Sequence, residues 1–439
     1  MLTRRLVIIL FLVAVGVALT AQAQQGQPIT QPTIDAAVGT LIAQTQQAPA
    51  NHAATQTIQA ALGQALTATA FAQITPTPTP QPLDVADLAV RSTTEIDLLA
   101  GPGGTSAYLA PDGQHFAYLS QNSFCLYQGQ AKGNCVDVSS TGGVESESPR
   151  WSPDSRYVVF TQDFFRTFRD PDIWVWDTIS NQLNDLTPNQ GGRINFLTAK
   201  SWTGVDISPR WLPDGRILFL RYSRQNGVVL PPDVYVIAPD GSGLQRIGRL
   251  AVSDQFAVFA LDASATHLIY NYDSQGGSPM DGLWISDLDG DDAHQLTALS
   301  HDTQIWGVQL SPDGKYALVT TVYTTASPTF TPETSPVSVV DLATGQRSLI
   351  DPDHYVSAAG WAPQGSALVY VTHDVQQPDN DTVYLTSAPG AEGQPLSSLQ
   401  GRFNVPTSRL QQALVWSANN TILFARIVSS GIVLVQLGG

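Results

Sequence analysis

Three histidines raise the first question of chemistry. His301, His354 and His373 each stand beside an aspartate: Asp302, Asp353 and Asp374. An imidazole with a carboxylate nearby can hold Zn, Mn or another divalent cation. Their spacings, 53 and 19 residues, match no metal-binding motif, so only a fold could assemble them. The plainer alternative is three solvated loop histidines. His115 and His267 follow turns and read as strand residues.

Two further stretches could carry a site. "QDFFRTFRDPD", Gln162 to Asp172, puts Phe164, Phe165 and Phe168 beside Arg166 and Arg169. Aromatic residues and Arg are enriched in the cores of protein interfaces. The alternative is that the phenylalanines fold back onto their own unit. "DLDGDD", Asp287 to Asp292, looks like the start of a calcium loop, but Ala298 stands where a Glu is needed. Sister segments "APDGSG" and "DLATGQ" are plain turns, and a turn is the competing reading here too. Cys125 and Cys135 are the two cysteines and flank "LYQGQAKGN", which reads as a hairpin turn. A disulfide across that hairpin is expected in an oxidising compartment. Two buried thiols are the alternative, and neither reading suggests catalysis.

Those residues need positioning elements, and the composition narrows them. Of 439 residues only 13% are charged, with 35 Gly and 29 Pro, which favours strands and turns over long helices. The formal net charge is −16, with three lysines, Lys132, Lys200 and Lys315. A field of that sign repels phosphate backbones, so nucleic acid is not an expected partner.

The chain opens with Arg4 and Arg5, then the apolar run Leu6 to Thr20, then small residues at Ala21 and Ala23. This is the pattern of an export signal over 1–23. The competing reading is an uncleaved anchor, although 15 apolar residues fall short of the ~20 that span a bilayer. Contact with a membrane is expected only through that segment. Residues 24–91 form a Gln, Ala, Thr and Pro-rich linker with weak helical periodicity. Its "TPTPTP" run favours an extended spacer.

From Ser92 one unit is written seven times. Its turn cores are "LAPDG", "WSPDS", "WLPDG", "LDASA", "LSPDG", "WAPQG" and "WSANN", starting at Leu109, Trp151, Trp211, Leu261, Leu310, Trp361 and Trp416. A repeat near fifty residues signals stacked supersecondary units. Pro presets the turn, Asp bonds its own backbone and Gly accepts positive φ. Leu or Trp precedes every turn, which implies burial between neighbouring units. Two continuous apolar runs follow each turn, as strands covered on both faces would require. Four short antiparallel strands per repeat make a propeller blade. The expected fold is all-β: a propeller over 92–439, of seven blades, or six if one degenerate repeat is an insertion. The last repeat lacks a fourth strand, and "TTEIDLLAG" from Thr93 reads as the orphan that would pair with Gly431 to Leu437.

The W-S-P-D-G turn followed by an apolar strand resembles the TolB-type, WD-like propeller repeat of bacterial exported proteins. The resemblance spans 92 to 439 and is weakest at Asp262–Ala265 and Ser417–Asn420. It implies a β-propeller and, for TolB itself, protein binding at the outer membrane. The α/β domain expected before such a propeller is replaced here by the linker, and no G-x-S-x-G elbow of a hydrolase occurs. Some lyases acting on acidic sugars resemble this repeat family and use a central metal.

The expectation is therefore an extracytoplasmic, monomeric, non-catalytic propeller without cofactor. It would bind a protein, peptide or glycan partner through its variable loop face. The alternative is a metal-dependent carbohydrate-active enzyme working in the central pocket, since propellers host both. Convergence of His301, His354 and His373 on one point would favour the enzyme.

Overall fold

The computed structural model describes residues 85–96, 106–120, 122–145, 148–162, 171–188, 198–250, 260–274, 277–299, 303–323, 329–374, 376, 381–401, 414–425 and 432–438. They are almost entirely strand. The first strand, β1 (Ala89–Ile96), stands apart from those that follow it in sequence. Blade one is β2 (Ser106–Leu109), β3 (His115–Ser120), β4 (Ser123–Gln128) and β5 (Ala131–Asp137). Blade two is β6 (Arg150–Trp151), β7 (Tyr157–Thr161), β8 (Ile173–Asp177) and β9 (Gln182–Asp185). Blade three is β10 (Trp202–Trp211), β11 (Ile217–Gln225), β13 (Asp233–Ile237) and β14 (Gln245–Arg249), with β12 (Val228–Val229) paired to β11. Blade four is β15 (Leu261–Ala263), β16 (His267–Tyr272), β17 (Gly282–Asp287) and β18 (His294–Ala298). Blade five is β19 (Thr303–Leu310), β20 (Tyr316–Tyr323), β21 (Val337–Asp341) and β22 (Arg347–Ser348). Blade six is β23 (Val356–Trp361), β24 (Leu368–His373), β25 (Asp381–Thr386) and β26 (Gln394–Gly401). Blade seven is β27 (Leu414–Trp416), β28 (Thr421–Ala425) and β29 (Ile432–Gly438), completed by β1.

The protein is a seven-bladed β-propeller. All seven sheets are antiparallel, with neighbours in the order first, second, third, fourth strand. The orphan strand does close the ring: Thr93 lies opposite Val435 and Ile96 opposite Ile432. Pairing that edge removes a template for aggregation. The strand starts at Ala89, inside the segment read as linker, and Val85 and Leu88 before it are buried against blade six. Polar Thr and Gln upstream hide the short apolar series Val85, Leu88, Val90 from a composition-based reading.

The core is a ring of wedges. Each of seven apolar clusters belongs to one seam between adjacent blades. The second strands explain why. In β7, Val158 and Phe160 pack toward blade one while Val159 packs toward blade three. In β16, Leu268 and Tyr270 face blade three and Ile269 faces blade five. Alternate residues of a strand point to opposite faces, so a strand between two seams must be apolar throughout. The residue before the turn is buried at Leu109, Trp151, Leu261, Trp361 and Trp416, and half-buried at Trp211 and Leu310.

Cys125 and Cys135 sit directly opposite each other in β4 and β5 and are joined by a disulfide. Among the described residues no helix is long and apolar enough to cross a membrane.

Candidate functional site

The strand order gives the ring two unlike ends. One end carries the tight turns between strands one and two and between strands three and four. Its polar groups are used internally. Ser152 Oγ accepts from the backbone N–H of Arg156 and Tyr157, and Ser311 Oγ does the same for Lys315 and Tyr316. Neighbouring turns bond each other: the Asp112 N–H donates to Ser155 Oγ at 2.9 Å, and the Ala418 N–H to the Pro111 carbonyl at 3.1 Å. The Asp287–Asp292 segment belongs to this end. It is a turn closed by the Gly290 N–H on the Asp287 carbonyl, and the Arg249 N–H of blade three donates to Asp289 O. Gly290 has φ +90 and lies so close to the Arg249 carbonyl that a Cβ would meet it at 2.2 Å. The glycine serves close approach to the next blade. Among the described residues no three His, Cys, Asp or Glu side chains are grouped to hold a metal ion.

The other end carries the loops between strands two and three and the connections between blades. Phe164, Phe165, Arg166, Phe168 and Arg169 belong to this end by sequence, as does His301, and all six lie outside the described residues. His354 and His373 are described. They stand in two separate hydrogen-bonded pairs, His354 in the connection between blades five and six and His373 at the end of β24. The carboxylates next to them in sequence are not their partners. His354 Nδ1 lies 3.0 Å from Asp351 Oδ2, and its ring rests against Tyr384 at 5.8 Å. Tyr370 also donates to Asp351 Oδ2, at 2.9 Å. Burial alone would raise the Asp351 carboxyl, but bonds from the Asp353 N–H, His354 and Tyr370 outweigh it and hold the group below its ordinary range. Burial and that nearby anion push the Tyr370 hydroxyl far above its usual value.

His373 Nδ1 lies 2.8 Å from Asp381 Oδ1, and Asp381 is 1% exposed. The two face each other across β24 and β25. In blade four, Asp281 stands at the start of the third strand in the same way, and it is spent on the Ser274 and Ser278 N–H groups and the Ser274 hydroxyl. An acid at this place therefore braces the loop between strands two and three, and in blade six the brace holds an imidazole. The His373 ring is flanked by Phe330 at 5.2 Å and Tyr355 at 6.4 Å. Phe330 and Tyr355 meet edge to face at 5.0 Å. Burial, with Tyr323 nearby, pushes the Tyr355 hydroxyl up to about 12. Neither aromatic belongs to a motif, and no sequence signal pointed to them.

Among the described residues, large exposed apolar side chains occur at both ends of the ring. Val228, Met280 and Phe330 sit at the loop end of blades three, four and five, 48%, 44% and 51% exposed. Ile179 and Leu244 are exposed at the turn end of blades two and three.

No protein-family model matches the chain, and no curated protein matches it in sequence. Solved structures resemble it in fold. An oligogalacturonate lyase in complex with manganese has 10% identity and a TM-score of 0.49, over 80% of this chain and 98% of that one. The oligogalacturonate lyase of Vibrio parahaemolyticus has 10% identity and a TM-score of 0.48, with the same coverage. The β-propeller domain of Swd1 from Myceliophteria thermophila has 11% identity and a TM-score of 0.45, over 80% of this chain and 99% of that one.

Proposed function

We propose that the chain is an exported, non-catalytic propeller that binds a protein, peptide or glycan partner through its loop end. The observation that carries this reading is the run Val228, Met280, Phe330 on three consecutive blades at one end of the ring. A single exposed apolar side chain is ordinary. Three on consecutive blades at one end favour that end as a contact surface. Rigid blades with irregular loops at one end are a common arrangement for recognition.

Cross-linking of the full chain in its host tests the reading. The Met280→Asp, Phe330→Asp pair should abolish the cross-linked species. The Ile179→Asp, Leu244→Asp pair, at the opposite end, should leave it. A wild-type chain that forms no such species overturns the proposal. So does one that purifies with stoichiometric divalent metal and cleaves an acidic polysaccharide.

A further inference from the structure

We propose that Phe330, Tyr355 and His373 form a binding site for a neutral sugar unit of a glycan, at the loop end of blades five and six. The inference rests on the reading that partners dock at the loop end. It goes further by naming the chemistry of what docks.

Direct contacts hold the three residues together. The His373 N–H donates to the Tyr355 carbonyl at 3.0 Å, where the end of β24 runs beside the start of β23. Phe330 reaches this point from blade five, and its ring meets those of both Tyr355 and His373. Its support is ordered. The Thr331 N–H donates to Thr334 Oγ1 at 3.1 Å across the short turn Pro332–Thr334. Ser335, next in the chain, accepts the Val356 N–H of blade six through its hydroxyl at 2.9 Å. A turn bonded to blade six therefore carries a ring that is 51% exposed. A ring fixed at the surface in this way is preorganised for a flat ligand.

The polar groups beside that ring match a hydroxyl. Asp381, when ionised, can only accept, so the proton of neutral His373 sits on Nδ1 and Nε2 offers a lone pair. Tyr355 keeps its proton at physiological pH, and its hydroxyl makes no hydrogen bond among the described residues. One group can accept and its neighbour can donate, and a sugar hydroxyl serves both. A pyranose also presents a face of C–H groups, which suits the electron-rich face of Phe330.

Charge disfavours an acidic ligand. Among the described residues no Arg or Lys bonds Phe330, Tyr355 or His373, and the chain carries a net −16. A carboxylate would find no counter-charge here and a repelling field around it. Peptides dock by adding to a free strand edge, lying in a groove or meeting a cluster of arginines. Here the strand ends are already paired, Thr372 with Thr382 and His373 with Asp381. One exposed ring with a donor and an acceptor beside it fits a sugar unit better than a peptide.

The test is native electrophoresis of the full chain through gels containing hydroxyethylcellulose, galactomannan or amylopectin, with carboxymethylcellulose and polygalacturonate as acidic counterparts. At least one neutral polysaccharide should retard the wild type, and the acidic ones should not. Phe330→Ala should weaken that binding about tenfold. Tyr355→Phe keeps the ring contacts and removes one donor, and should weaken it roughly fivefold. Leu244→Ala, at the turn end, should change nothing. A wild type retarded by none of the neutral polysaccharides overturns the site, as does retardation unchanged by Phe330→Ala. Equal retardation by the acidic polysaccharides overturns the neutral assignment. A protein cross-linked in the host through Phe330, without retardation in any gel, overturns the glycan in favour of a peptide and keeps the docking reading. Retardation lost in Phe330→Ala, with no cross-linked species in the host, supports the site and removes the cellular reading alone.

Discussion

The Trp211 indole donates to the backbone carbonyl of Arg150, 3.0 Å away in the neighbouring blade. The same bond runs from Trp151 to the Tyr108 carbonyl at 2.7 Å and from Trp361 to the Gln309 carbonyl at 3.1 Å. In each case the acceptor is the residue one before the Leu or Trp of the preceding blade. Where the position holds Leu, other groups bridge the seam. Arg210 Nε donates to the Leu261 carbonyl, and the Leu310 N–H donates to Asp262 Oδ2. The repeat thus writes a seam clamp as well as a turn.

Replacing Trp151 with Phe keeps most of the apolar area and removes the bond. The loss should be on the order of 1 kcal/mol, with a further cost for the stranded carbonyl. Trp416 is a built-in contrast, because its buried indole N–H has no hydrogen-bond partner among the described residues. Trp416→Phe should be neutral or slightly stabilising. Urea unfolding of both variants checks this, and equal losses would remove the clamp from the account.

Closure by β1 predicts a sharp boundary for truncation. A chain starting at Thr79 keeps Val85, Leu88 and all of β1, and should keep the oligomeric state and melting temperature of the full chain. A chain starting at Gly101 exposes the whole edge of β29. It should melt earlier and self-associate through that edge. Light scattering after size exclusion separates the two cases.

The repeat was legible because its chemistry is local. Pro, Asp and Gly shape one turn, Leu or Trp plugs one seam, and each unit restates the rule. Even the missing fourth strand could be counted. The site was not legible for the opposite reason. His354 answers to Asp351 and His373 to Asp381, three and eight residues away, while the adjacent Asp353 and Asp374 are not their partners. Phe330, Tyr355 and His373 meet only because blades five and six are neighbours. Nothing in a linear spacing records that meeting.

Asp177 should govern part of the acid limb of stability. The Arg156 guanidinium bonds its carboxylate and holds it down to about 2. A folded-state value below the ordinary 3.8 means the native protein binds fewer protons than the unfolded chain in that window. The stabilisation is complete above about pH 4 and is lost as pH falls through about 2. Half of Arg156 faces water, so the effect should shrink with salt. Arg156→Gln should flatten the urea midpoint between pH 2 and 4 and lower it by a constant amount above pH 5.

Asp206 should act in the reverse sense. It is fully buried between blades two and three and paired through both oxygens with Arg221, each bond 2.6 Å. Burial nevertheless pushes its carboxyl up to about 6, with Asp185 adding like charge against the pull of Arg221. The native state then binds more protons than the unfolded chain between about pH 4 and 6, so this group makes stability fall as pH rises through that range. Asp206→Asn should remove that slope. It also leaves the Arg221 charge without its counterion, because Asp233, the next acid along the row, is already taken by Arg246 and Arg249. The variant should therefore lose on the order of 3 kcal/mol at neutral pH. Urea midpoints from pH 4 to 8 for both proteins test the two parts separately, and a slope that survives in the variant would assign it to Asp185 instead.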